Sequence, residues 1–152
     1  MKIKWAYLLI FVAITLAIGS IGTIFSPGEW YQSLNKPTWV PANNVFAPIW
    51  SILYLFIALV GFLLWRQIET YKYLFFLWLL QLILNALWSP IFFGLQAPIV
   101  ALLDILILDI AVLILLVELN QKNRTAMFLL LPYLVWIIFA SALNFEIVRL
   151  NF

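Results

Sequence analysis

Tryptophan, tyrosine and proline side chains concentrate in one short segment of this chain, between two long apolar runs. The segment begins at Trp30 and Tyr31, and Trp39 follows between Pro37 and Pro41. It holds too much proline to continue a spanning helix, and too many aromatic rings for a plain solvated loop. Aromatic rings bind flat apolar molecules by stacking and by burial of apolar surface. The segment is therefore predicted to cover an aromatic or apolar molecule above a helical bundle.

Further aromatic side chains recur at helical spacing in the apolar runs that follow this segment. Those expected on inward faces are Trp50, Tyr54, Trp88, Phe92 and Trp136. Asn85 and Asn144 add isolated polar groups to these faces. The small Ala140 leaves space beside Trp136. An apolar wall with few fixed polar groups is typical of a small-molecule pocket, and an aromatic-rich packed core is the alternative interpretation.

Amide and carboxylate side chains within apolar runs are costly in lipid and are expected to face the bundle interior. For Gln81 and Asn85, hydrogen bonds between helices and contacts with a ligand explain the pattern equally well. Asp104 and Asp109 lie about 140° apart around a helix, so they do not form a carboxylate pair. No Lys or Arg lies in their run. Hydrogen bonding to Asn85, to Thr15 or to a backbone amide, or protonation, would accommodate Asp104.

The residue types that usually support metal binding or acid–base catalysis are missing from this sequence. It contains no His and no Cys. This excludes His or Cys zinc sites, His general bases and haem ligation by His. The sequence shows no nucleophile–base pair or cofactor motif, so neither a metal site nor a required cofactor is predicted. The net charge of +2 includes no basic run, and nucleic acid is not an expected partner.

Long apolar runs must position these side chains, because 67% of the chain is hydrophobic and only 9% is charged. Soluble domains carry about 25% charged residues. Each run is near the roughly 20 residues that cross a hydrocarbon core of about 30 Å. We predict an all-α membrane protein with one domain over residues 1–152, a five-transmembrane-helix bundle with a long loop between helices 1 and 2. The helices are predicted at about residues 5–25, 45–65, 73–93, 97–117 and 126–148.

Basic residues are unevenly divided between the two ends of the predicted bundle. One end carries Lys2, Lys4, Arg66, Lys72, Lys122 and Arg124, and the other carries Lys36 and Arg149. Cytoplasmic loops are enriched in Lys and Arg. We therefore predict a cytoplasmic N-terminus and an external aromatic loop, in a bacterial cell membrane.

Small side chains recur along one face of the first predicted helix. They are Thr15, Gly19, Gly22 and Ser26. A seam for close helix packing is favoured over a direct ligand role.

Several short motifs combine over nearly the whole chain. They are Trp30-Tyr31-x2-Leu34-x-Lys36-Pro37-x-Trp39-x-Pro41, Pro48-x-Trp50-x3-Tyr54, Gln81-x3-Asn85, Trp88-x-Pro90-Ile91-Phe92-Phe93-Gly94, Ala101-x2-Asp104 and Pro132-Tyr133-x2-Trp136-x2-Phe139-Ala140-x2-Leu143-Asn144. Each motif alone is weak, but the combination resembles the TspO/MBR family of tryptophan-rich sensory proteins and translocator proteins, once called peripheral-type benzodiazepine receptors. Two departures are Ala42, where the family often has a second proline, and Phe145, where a proposed sterol motif has tyrosine. Sterol binding is therefore not inferred.

The resemblance implies a five-helix bundle, frequently a homodimer, with a pocket near the first loop. That pocket binds porphyrins such as protoporphyrin IX and haem, and synthetic drug ligands. The positions of this chain that match the family's pocket are Trp39, Trp50, Asn85, Trp88, Trp136, Ala140 and Leu143. With the inward-facing residues, the predicted ligand-binding set becomes Trp39, Trp50, Tyr54, Asn85, Trp88, Phe92, Trp136, Ala140, Leu143 and Asn144.

The function expected from these features is that of a membrane-embedded tetrapyrrole-binding sensor or regulator, with a porphyrin-like molecule, the bilayer and a second copy as partners. A transporter of porphyrins or other lipophilic molecules is one alternative. The other is a protein that degrades porphyrin in light, as some family members are reported to do. Its chemistry would come from the photoexcited ligand and oxygen, with Trp50 and Trp136 at the matching positions.

Overall fold

The computed structural model describes residues 2–25 and 27–152, with side chains from Trp5 onward. Within these residues, five helices are long and apolar enough to cross a membrane. They are α1 (Lys2–Ile24), α3 (Asn43–Trp65), α4 (Ile68–Ser89), α5 (Pro98–Lys122) and α6 (Arg124–Asn151). A short helix α2 (Glu29–Ser33) precedes α3, and a π-helical turn (Pro90–Gly94) continues α4. The predicted all-α membrane fold is confirmed; Ser26 of the predicted seam lies outside the described residues.

The later helices extend beyond the apolar runs from which they are predicted. Helix α5 continues to Lys122, and α6 runs to Asn151. An apolar run measures the length of chain in hydrocarbon, whereas helical hydrogen bonding continues into the polar boundary of the membrane. The turn between α5 and α6 is short because the Asn123 side chain caps α6 and accepts a hydrogen bond from the Ala126 amide at 3.1 Å.

One end of the bundle is filled by an aromatic core formed by Phe11, Trp65, Phe75 and Trp78. The Trp78 ring stacks on Phe75 with 5.5 Å between ring centroids, and it meets Phe11 edge-on at 5.4 Å. Its indole N–H donates to the Ile57 carbonyl oxygen at 2.9 Å. Trp78 is fully buried. The aromatic core therefore closes the end of the bundle that holds the start of α1.

At the opposite end, the segment predicted as a long loop between helices 1 and 2 contains helix α2. Trp30 and Tyr31 of α2 pack against the π-helical turn. The Trp30 ring lies 5.9 Å from Phe92, and the Tyr31 ring lies 5.4 Å from Phe93. The segment folds in this way because its rings bury apolar surface on the end of α4.

The rest of this segment is tied to the C-terminal end of α6. The Asn151 side chain accepts a hydrogen bond from the Asn35 amide at 2.8 Å and donates one to the Asn35 carbonyl oxygen at 2.9 Å. A turn follows, in which the Val40 amide donates to the Pro37 carbonyl oxygen at 3.2 Å. Asn151 therefore joins the C-terminal end of α6 to the segment between α1 and α3.

Replacing Asn151 by alanine should loosen this segment without unfolding the bundle. Both side-chain hydrogen bonds to Asn35 are lost, and a typical hydrogen bond contributes about 0.5–1.5 kcal/mol. We expect chymotrypsin to cleave after the exposed Trp39 at least about fivefold faster, with little change in the unfolding midpoint. Asn120→Ala, at an exposed position near the other end of the bundle, is the control. Equal cleavage rates in both variants and wild type would show that Asn151 does not restrain the segment.

Candidate functional site

A cavity of about 580 Å³, here called the large cavity, lies within the half of the bundle that α2 covers. Its volume falls within the range of about 300–1,000 Å³ that is usual for small-molecule sites. Its aromatic wall consists of Tyr31, Phe46, Trp50, Tyr54, Trp88, Phe92, Phe93 and Trp136. These rings surround an open space, whereas the rings of the aromatic core do not line it.

All the predicted ligand-binding residues except Trp39 line the large cavity. They are Trp50, Tyr54, Asn85, Trp88, Phe92, Trp136, Ala140, Leu143 and Asn144. Trp39 lies outside the cavity wall, where its ring packs against Phe139 at 5.7 Å and 45% of its surface stays exposed. The turn that begins at Pro37 places the Trp39 ring beside Phe139 of α6, outside the cavity.

Two stacked aromatic pairs form parts of the wall. On α3, Trp50 stacks on Tyr54 with ring centroids 5.4 Å apart and an interplanar angle of 27°. Trp88 at the end of α4 stacks on Phe92 of the π-helical turn at 4.9 Å and 24°. The spacing of four residues within each pair places both rings on one helix face. Flat ring surfaces of this kind suit a flat ligand.

Asn85 links three helices beside the cavity. Its side-chain oxygen accepts a hydrogen bond from the Tyr54 hydroxyl at 2.9 Å, and its amide nitrogen donates to the Tyr133 hydroxyl at 3.1 Å. Interhelical hydrogen bonding, one of the two interpretations of Asn85, is therefore confirmed, and a contact with ligand stays a prediction. Because Asn85 also lines the cavity, the network holds Tyr54 in place at the wall.

Asn144 fixes the orientation of Trp88. Its side-chain oxygen accepts from the Trp88 indole N–H at 3.1 Å, while its amide nitrogen donates to the Pro98 carbonyl oxygen at 2.9 Å. That carbonyl belongs to the first turn of α5. A side chain of α6 therefore links a ring of α4 to the start of α5, and it holds Trp88 in place at the cavity wall.

Gly19 of α1 makes room for the Tyr54 ring. A methyl group added at Gly19 would lie 2.5 Å from Cε2 of Tyr54, closer than real contacts allow. The predicted role of the small residues in close packing is confirmed at this position. Substitution there would displace Tyr54, which also belongs to the Asn85 network.

Some cavity residues were missed by the predicted ligand-binding set. Phe46 lines the cavity and meets Trp136 edge-on at 5.8 Å. Its position four residues before Trp50 is the sequence signal that points to it. Tyr31 lines the cavity because α2 packs on the π-helical turn, and the sequence holds no signal for that contact.

The intramembrane carboxylates and Gln81 lie away from the cavity wall. Of the partners predicted for Asp104, Asn85 bonds to Tyr54 and Tyr133, and the Thr15 hydroxyl donates to carbonyl oxygens of its own helix. Those two pairings are wrong, because among the described residues neither side chain hydrogen-bonds to Asp104. Asp109 accepts a hydrogen bond from the Ser141 hydroxyl at 2.6 Å. No described residue hydrogen-bonds to the fully buried Gln81 side chain.

Comparison with known proteins agrees with this architecture. The model of the TspO/MBR family matches residues 11–150. The chain is 45% identical to the tryptophan-rich protein TspO of Archaeoglobus fulgidus, and the match covers 90% of this chain and 91% of the relative. It is 35% identical to the tryptophan-rich sensory protein of Cereibacter sphaeroides, over 99% and 95% of the two chains. It is also 37% identical to the translocator protein of Homo sapiens, over 86% and 82%. Since these matches cover nearly the whole bundle, the chain belongs to the TspO/MBR family, whose members are integral membrane proteins.

Proposed function

We propose that this protein binds a tetrapyrrole such as protoporphyrin IX or haem in the large cavity, and that it acts as a membrane sensor or regulator. The observation that carries the proposal is the pair of stacked aromatic walls, Trp50–Tyr54 and Trp88–Phe92, around about 580 Å³ of space. Burial of a flat macrocycle's apolar surface would contribute about 25 cal/mol of favourable free energy per Å². Each favourable ring contact adds about 0.5–1.5 kcal/mol.

Recognition is expected to depend on the macrocycle rather than on a bound metal. The common haem-iron ligands His and Cys are absent from the chain. The amide groups of Asn85 and Asn144 are already engaged with Tyr54, Tyr133, Trp88 and Pro98. Apolar contact and stacking remain as the main sources of affinity. Protoporphyrin IX without iron should therefore bind about as well as haem.

The shape of the bundle favours binding over passage across the membrane. The large cavity reaches no deeper than the level of Tyr54 on α3, and Ile57 and Leu64 beyond it are fully buried. The aromatic core around Trp78 fills the remaining depth. A ligand in the large cavity would meet a closed end, as suits a sensor. The name of the Cereibacter sphaeroides relative, a sensory protein, agrees with this proposal.

The distribution of basic residues supports an orientation with the large cavity near the outer face of a bacterial cell membrane. Arg66, Lys72, Lys122 and Arg124 all lie at the end that the aromatic core closes. Loops on the cytoplasmic side of membrane proteins are enriched in Lys and Arg. The homodimer implied by the family resemblance stays a prediction.

A fluorescence titration tests the proposed binding. Protoporphyrin IX added to the purified protein should quench tryptophan fluorescence saturably, because Trp50, Trp88 and Trp136 line the cavity. The double variant Trp50→Phe, Trp136→Phe should lose much of the quenching and bind at least about threefold more weakly, since two ring contacts shrink. The control is Trp5→Phe, which removes an exposed ring near the other end of the bundle. A signal that does not saturate in the wild-type protein would refute the proposal.

A further inference from the structure

A second cavity of about 320 Å³, here called the small cavity, adjoins the large one beneath α2. It is lined by Pro27, Tyr31, Gln32, Lys36, Val40 and Asn43. Pro27, Tyr31 and Asn43 also line the large cavity, so the two spaces share a wall. The wall of the large cavity is mostly aromatic and apolar, whereas the small cavity contains a cation.

The Lys36 ammonium in the small cavity has no anionic partner among the described residues. It donates to the carbonyl oxygens of Gln32 at 3.1 Å and Leu34 at 3.0 Å. An ammonium group has three N–H donors, so one remains available. The ion pairs in the described part of the chain are Lys122 with Glu118 and Arg149 with Glu146. Lys36 is therefore a half-buried positive charge that neutral carbonyl groups solvate but do not neutralise.

Tyr31 holds the Lys36 ammonium at the boundary between the two cavities. The nitrogen lies 4.8 Å from the centroid of the Tyr31 ring, a distance at which a cation is attracted to the ring face. The same ring packs edge-on against Phe92 and Phe93. Burial raises the pKa of Tyr31, so its phenol stays neutral at physiological pH and places no negative charge beside Lys36.

We propose that Lys36 binds a carboxylate of an amphipathic ligand whose flat apolar body occupies the large cavity. This inference rests on the proposed function of that cavity. Hydrogen bonds between charged partners are shorter and stronger than neutral ones, and partial burial limits their screening by salt. A tetrapyrrole that carries its carboxylates on one edge would place its rings against the aromatic pairs of the large cavity. Its carboxylate edge would then lie in the small cavity. The small cavity therefore selects for acidic macrocycles over neutral ones.

Protoporphyrin IX and its dimethyl ester separate the contribution of the carboxylates from that of the ring. We expect the wild-type protein to bind the acid about tenfold more tightly than the ester, as loss of one charged hydrogen bond predicts. Lys36→Met should weaken binding of the acid about tenfold and leave binding of the ester unchanged. Lys36→Arg, which keeps the charge, should restore most of the affinity for the acid. Lys72→Met, an exposed position at the other end of the bundle, is the control for net charge.

The outcomes distinguish this inference from the proposed function. If neither compound binds the wild-type protein saturably, the proposed function fails and the inference fails with it. If acid and ester bind equally well to wild type and to Lys36→Met, the cavity binds macrocycles but Lys36 is not the anion site. If Lys36→Met weakens both compounds equally, Lys36 only supports the fold of the segment, and the inference is overturned. The unfolding midpoint of each variant shows whether its bundle is intact.

Discussion

Substitution of Gly61 by alanine is expected to lower the free energy of unfolding of the bundle by about 2 kcal/mol or more. This is the largest effect on stability that we predict. The new methyl would clash with Cζ2 of Trp78, and it would lie 2.5 Å from Cε2 of that ring and 2.9 Å from Cδ1 of Phe11. Trp78 has little freedom to move, because it is stacked on Phe75 and bonded to the Ile57 carbonyl oxygen. Its displacement would leave a polar N–H unpaired in the core.

The better helix propensity of alanine offsets only part of this cost, about 1 kcal/mol. Unfolding in mixed micelles with increasing sodium dodecyl sulfate, followed by circular dichroism, measures the change. Gly28→Ala is the matched control, because a methyl group at Gly28 would meet no atom within 4 Å. That variant should unfold close to the wild-type midpoint. If Gly61→Ala behaves like Gly28→Ala, the close packing of Trp78 on α3 is not a source of stability.

Replacement of Ala140 by phenylalanine is expected to block the large cavity while the bundle stays folded. Ala140 lines the cavity on α6, one helical turn beyond Trp136. A phenyl ring at this position enters existing space, so it displaces ligand rather than packed side chains. We expect the affinity for protoporphyrin IX to fall at least tenfold, which corresponds to about 1.4 kcal/mol. The unfolding midpoint should be maintained or rise slightly, because a filled cavity adds dispersion contacts.

Ala142→Phe provides the matched control for this experiment. Ala142 lies two residues further along α6, is exposed, and does not line the cavity. The same change in size and apolar character there should leave the binding curve of protoporphyrin IX unchanged. Wild-type affinity in Ala140→Phe, in a protein that unfolds normally, would place the ligand outside the large cavity. Equal losses in both variants would indicate a general effect of the added ring.

The five spans could be predicted from the sequence because the membrane restricts the available structures so strongly. Backbone N–H and C=O groups in lipid must be satisfied within the segment, so long apolar runs become helices. The sequence also placed Trp50 and Trp88 on inward faces, since helical periodicity depends only on spacing. The helix ends were less predictable. The predicted end of α5 fell short of Lys122, because hydropathy reports the extent of lipid contact and not the last helical hydrogen bond.

Spacing could not predict whether an individual aromatic residue lines the cavity or packs in the core. Trp50 and Trp78 both occur on inward faces of apolar runs, yet Trp50 lines the cavity and Trp78 is fully buried in the aromatic core. The difference arises from the opposing helix, where Gly61 lets the Trp78 ring pack directly against α3. Trp39, in the segment most suggestive of a ligand contact, packs on Phe139 outside the cavity.

The sequence by itself determined the membrane location, the all-helical fold, the spans and most of the cavity wall, because hydropathy and periodicity are properties of each segment taken alone. The tertiary structure decided that α2 covers the large cavity, that Asn85 and Asn144 hold its rings, and that Lys36 lies in the small cavity beside it. Those features depend on contacts between residues far apart in the chain. Such contacts are selected by the packing of several helices at once, which no single segment encodes.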